Sequence, residues 1–178
     1  MQAATVLDAV LDADPGNIQA LSGLASLYHE YIGDFPKAYA LMARLEKADH
    51  SVPNRLNLAE ASFTMANFSG CLDLLSTTRP EEMPVSLATT RQVLFFACQW
   101  GAGKQKAAME TAQALEKYAG TLTRPAWTTS GDRKYLAAAP EFQQGRTLWI
   151  KLFQALENGD GVSLLEAAHA LTALDEPR

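Results

Sequence analysis

One spacing pattern, set down three times along the chain, limits the fold more than any other feature. Leu21-x2-Leu24-Ala25-x2-Tyr28 returns 34 residues later as Arg55-x2-Leu58-Ala59-x2-Ser62, and 38 residues after that as Val93-x2-Phe96-Ala97-x2-Trp100. Steps of three and four residues place these side chains on one face of a helix. A second pattern alternates with the first: Ala3-x3-Leu7, Ala38-x3-Met42, Cys71-x3-Leu75 and Ala108-x3-Ala112. Each sets a small residue one helical turn before another apolar position. A small side chain there lets two paired helices approach closely, where a larger one would push them apart. β-branched residues never alternate over a strand-length window, so the chain is expected to be all-α.

The two patterns together resemble the tetratricopeptide repeat, a unit of 34 residues in two antiparallel helices with a W-x2-L-G-x2-Y, A-x3-F, P signature. The likeness covers roughly residues 2–119, with Arg55, Arg91 and Gln92 departing from it. It implies a right-handed array of antiparallel helical hairpins, an α-solenoid. Residues 1–119 then hold the repeats, the first of them half-complete. Residues 120–139 form a loop or insertion, introduced by "GTLTRPAWTTSGDR". Residues 140–178 form a C-terminal helical hairpin that serves as a cap.

Helices are expected near 2–13, 18–31, 35–48, 53–66, 68–77, 85–100 and 104–119, with two more in the last segment. Asp34 and Ser51 are expected to cap the helices that follow them, with Pro36 in the first turn of one. Asp14-Pro15 marks a boundary between units.

"CQWGAGKQK", residues 98–106, has the look of a phosphate-binding loop. That loop needs G-x-x-x-x-G-K-[ST] after a strand. Here residue 98 is Cys98, Gln105 stands where the magnesium ligand belongs, and the preceding residues have helical period. The reading that survives is a turn in which Gly101 and Gly103 end one helix. "HEYIG", 29–33, begins like a zinc-protease helix but has Gly33 in place of the second histidine. His29, His50 and His169 have no ligand spacing, and no serine lies in a nucleophile elbow. No catalytic residue, cofactor or metal is expected. Cys71 and Cys98 lie in apolar helical patterns and read as small buried hydrophobes. Asn67-Phe68-Ser69 fits a glycosylation triplet without any sign of secretion. Trp100 and Trp149 read as core. Trp127, among Arg124, Pro125 and Arg133, either packs over the end of the array or is offered to a partner.

The formal net charge is -5 and no basic run occurs, which argues against nucleic acid. The longest apolar run, "VLFFAC", is far short of the roughly 20 residues that span a bilayer. A cytoplasmic setting is favoured for the segment.

In the resembled family the first helix of each pair lines a concave surface that holds a peptide or a helix. Carried over by position, that lining comprises Gln19, Ser22, Ser26, His29, Glu30, Leu56, Glu60, Phe63, Thr64 and Leu94. It lacks the lysine, asparagine and arginine set that clamps a C-terminal carboxylate in some members. The function this implies is a non-catalytic protein–protein interaction scaffold. Two alternatives stand beside it. One is a regulatory or substrate-presenting segment of an enzyme whose catalytic part lies elsewhere. The other is a small-ligand-binding protein with the insertion as a lid. Residues 2–13 match the second half of a unit, so their outer face awaits either the rest of a longer array, the favoured reading, or a second copy in a homodimer.

Overall fold

A computed structural model describes residues 2–115 and 145–174. Nine α-helices occur among them and no strand. They are α1 (Gln2–Ala13), α2 (Ile18–Ser26), α3 (Phe35–Ala48), α4 (Val52–Thr64), α5 (Phe68–Ser76), α6 (Val85–Gly101), α7 (Gln105–Leu115), α8 (Arg146–Asn158) and α9 (Gly161–Ala173). A π-helical turn, Leu27–Ile32, continues α2, and a short 3-10 turn, Pro80–Glu82, precedes α6. The remainder of the helix expected over 104–119, the 120–139 insertion with Trp127, and the start of the C-terminal hairpin lie outside the described residues.

Helices pair in sequence: α2 with α3, α4 with α5, α6 with α7, and α8 with α9. Of the small residues in the second pattern, Ala38, Cys71 and Ala108 have no exposed surface, whereas Ala3 of α1 is exposed. Two apolar clusters share α4. Its Leu58 and Ala61 join residues of α1–α3, while Leu56, Ala59 and Phe63 join α5–α9. A helix buried on both sides has little room for a polar stripe, and every residue from Leu58 to Thr64 is buried. Trp149 of α8 packs on Phe96 and Trp100 of α6, with ring centroids 5.9 Å from each. Both tryptophans are core residues, as their helical spacing predicts.

A single turn design joins the pairs. Its penultimate residue has left-handed backbone: Gly33, Ala66, Gly103 and Gly159, with φ of 76°, 56°, 70° and 68°. The residue after it immediately precedes the next helix. Asp34 accepts from the Lys37 N–H at 3.2 Å, Asn67 from the Gly70 N–H at 3.1 Å, and Asp160 from the Ser163 N–H at 3.1 Å. The N–H groups of Asn67, Lys104 and Asp160 each reach the carbonyl five residues back, at 2.8 Å, the long bond of a Schellman closure. "GAGK" is therefore the third copy of a helix-to-helix turn. In it Gly103 alone supplies the left-handed residue, and Gly101 is the last residue of α6.

Two expectations need correction. Ser51 stands at the N-cap of α4 but makes no side-chain capping bond. Asp49 takes the local bonds instead: its carboxylate accepts from the Ser51 N–H at 3.2 Å and from the Asn54 side chain at 2.8 Å. Cys71 and Cys98 are fully buried, yet they are bonded to each other, with Cα atoms 6.4 Å apart. They are partners rather than two independent small hydrophobes, because α5 and α6 run antiparallel with these two positions opposite.

Arg91, out of place in an apolar stripe, is buried for a reason of its own. Its guanidinium donates to the Leu75 carbonyl at 2.9 Å, to the Thr78 carbonyl at 3.2 Å and to Thr78 Oγ1 at 3.0 Å. It also donates to Gln92 Oε1 at 2.7 Å and lies over the Phe95 ring. The last carbonyls of a helix have no partners within it and carry negative partial charge, so a cation there satisfies both needs.

Candidate functional site

The positions carried over from the repeat resemblance separate into two groups. Gln19, Ser22 and Glu30 are exposed and Ser26 is half-buried, and the first two share one face of α2 with Ser26 by spacing. Leu56, Phe63, Thr64 and Leu94 are buried in the core, as are His29 and Glu60. These positions of α4 and α6 are thus covered where the resemblance implies an open lining. Phe63 in particular packs on the ring of Phe68, with centroids 6.0 Å apart in a tilted contact. Trp127 lies outside the described residues.

The π-helical turn sets the geometry at the end of α2. Gly33 follows Ala25 by eight residues, whereas Ala66 follows Ala59 by seven. The extra residue is taken up by the wider turn, and the Asp34 N–H accordingly reaches six residues back, to the Tyr28 carbonyl at 3.0 Å. His29 is carried inward by this turn. Its ring meets the Phe35 ring edge-on, centroids 5.4 Å apart, and its Nε2 lies 3.7 Å from Glu60 Oε1 of α4. Two residues read as groove-lining thus meet as a buried contact that ties α2 to α4.

The same turn leaves Tyr31 and Ile32 in solvent, 78% and 53% exposed, and Ile18 is exposed at the other end of α2. Lys37 closes the side of this region. Its ammonium lies 5.0 Å from the Tyr28 ring centroid and 3.4 Å from the Asp34 carboxylate. The Asp34 carboxylate, chiefly through its hydrogen bond, raises the lysine above its ordinary pKa, with further contributions from Tyr28 and Asp8. Sequence reasoning missed Tyr31 and Ile32. The only signal for them was an apolar pair just before Gly33, at spacing that an ordinary α-helix would have turned elsewhere.

Both cysteines are engaged with each other. Among the described residues, no three metal-ligating side chains come together, and no helix is long and apolar enough to cross a membrane. Compared with known proteins, the chain matches no family model, no curated protein and no solved structure.

Proposed function

We propose that the chain is a non-catalytic interaction scaffold of the tetratricopeptide-like kind, a right-handed array of helical hairpins that holds a peptide or helix of a partner protein. The contact face is re-centred on α2 and its π turn: Ile18, Gln19, Ser22, Ser26, Glu30 and Tyr31. The observation that carries this reading is the division of α2 itself. Ala20, Leu21, Leu24 and Ala25 are buried while the opposite face is polar and open, and apolar side chains stand exposed at both ends. A face of that composition suits a partner that contributes its own hydrogen bonds along the middle and an apolar group at each end.

The recurrence of the turn and of the buried small residues supports the array. In that register Val6 and Val10 of α1 correspond to Leu41 and Leu45 of α3. The latter are buried, whereas Val6 and Val10 are exposed. We read this outer face of α1 as a seat for one further helix.

The test is a pull-down with tagged wild type and a Gln19→Arg/Ser22→Arg variant, both positions being exposed. The variant keeps the helical spectrum and melting temperature of the wild type and loses at least tenfold in recovered partner. Equal recovery by both would discard the α2 face. Phe63→Ala and Glu60→Lys are unsuitable probes, since both residues are buried.

A further inference from the structure

Three pairings lie along the boundary between α5 and α6 in strict antiparallel register. Phe68 lies against Gly101, Cys71 is bonded to Cys98, and Thr78 receives Arg91. Ring packing closes one end of the seam, a guanidinium closes the other, and the covalent bond sits between them. Neither cysteine has any exposed surface. A thiol reagent therefore has no approach to either sulfur while the seam is closed.

We infer that Cys71 and Cys98 are oxidised before α5 and α6 close on each other, and that the chain matures in a compartment where disulfides persist. The bond forms by exchange with an external disulfide. One cysteine thiolate attacks it, releases one external thiol and leaves a mixed disulfide. The second cysteine thiolate then displaces the other external thiol. Two protons and two electrons leave the chain, and one external disulfide becomes two thiols. A reducing cytosol would drive the exchange backwards during synthesis, whereas oxidising compartments keep such bonds. Once closed, the bond ties the second helical pair to the third covalently, beside the Phe68 packing and the Arg91 hydrogen bonds.

Burial explains why this bond is a staple and not a rapid switch. Reduction must wait for the seam to open, so its rate is limited by the fraction of time the seam stands open. Cross-linking across 27 residues of sequence also removes conformational freedom from the unfolded chain, and that effect raises the melting temperature.

The test recovers the chain from its own cells with acid quenching, denatures it without reductant, and alkylates it. Intact mass then counts the thiols. The expected result is no alkyl group before reduction and two after it. Two alkyl groups before reduction would overturn the inference. A second measurement compares melting after complete reduction under denaturing conditions and refolding with reductant. Wild type loses about 10 °C relative to its oxidised form, and Cys71→Ala/Cys98→Ala melts at the same temperature with or without reductant. A reduced wild type that melts with the oxidised form would show that the bond does not hold the seam.

Discussion

Gly101 gives the Phe68 ring its place: a Cβ at residue 101 would lie 2.6 Å from the ring edge. Phe68 is buried and packs on Phe63, which limits how far its ring can shift. The glycine at the end of α6 is thus required by close approach, and the turn that follows depends on Gly103 instead. Gly101→Ala is expected to destabilise by about 1–2 kcal/mol, the overpacking cost less the gain in helix propensity. Chemical denaturation of Gly101→Ala, Phe68→Leu and the double variant measures it. The double variant should be more stable than the sum of the singles, because the smaller side chain makes room.

Arg91 and Thr78 make the matching contact at the other end of the seam. Arg91→Met keeps much of the volume and removes every donor. The Leu75 and Thr78 carbonyls then lose their charged partner inside the protein. The expected cost is about 2–4 kcal/mol, read as a lower denaturation midpoint with the slope unchanged.

Ala66 occupies the left-handed position that glycine fills in the other three turns. A Cβ there is strained, and glycine removes the strain at some cost in unfolded-state entropy. Ala66→Gly is expected to stabilise by about 0.5–1 kcal/mol, measured by urea denaturation. Gly103→Ala should destabilise by a similar amount.

Helix positions were legible in the sequence because period, turn residues and small residues agreed at each level. The ends of α1 and α3 follow the apolar spacing and the Asp14-Pro15 and Asp34 signals closely. The π turn was not legible, since one extra residue leaves the apolar count almost unchanged and is visible only in the offset between Ala25 and Gly33. The bond between Cys71 and Cys98 required the antiparallel register of two helices from different pairs, which no local spacing records. The candidate face was legible in α2, where Gln19 and Ser22 face solvent. It was not legible in α4 and α6, because a carried-over position cannot reveal that Phe63 and Leu94 are covered by the rest of the core.

Glu46 links stability to acidity. The His50 ring, 3.1 Å away, and the Arg55 guanidinium, 3.4 Å away, favour its charged form and lower it below the ordinary glutamate pKa, against a smaller opposing effect of burial. The folded value lies below the unfolded one. Its contribution is therefore complete above the unfolded pKa and is lost as pH falls through the folded pKa. Wild type should lose stability between about pH 5 and pH 3. Asp160, lowered by the Ser163 hydroxyl and backbone N–H, adds in the same sense. Thermal melts across that range should show a shallower acid dependence for Glu46→Gln than for wild type.

Close contact between helices at small buried residues, in a repeated register, holds the fold together. Melting temperatures of Ala38→Leu, Ala97→Leu and Ala108→Leu, set against Ala40→Leu, test it most directly, since the first three sites are fully buried and Ala40 is exposed. Each of the three is expected to lower the melting temperature by several degrees, in line with overpacking of about 1–3 kcal/mol, while Ala40→Leu leaves it unchanged. Equal tolerance at all four sites would contradict it.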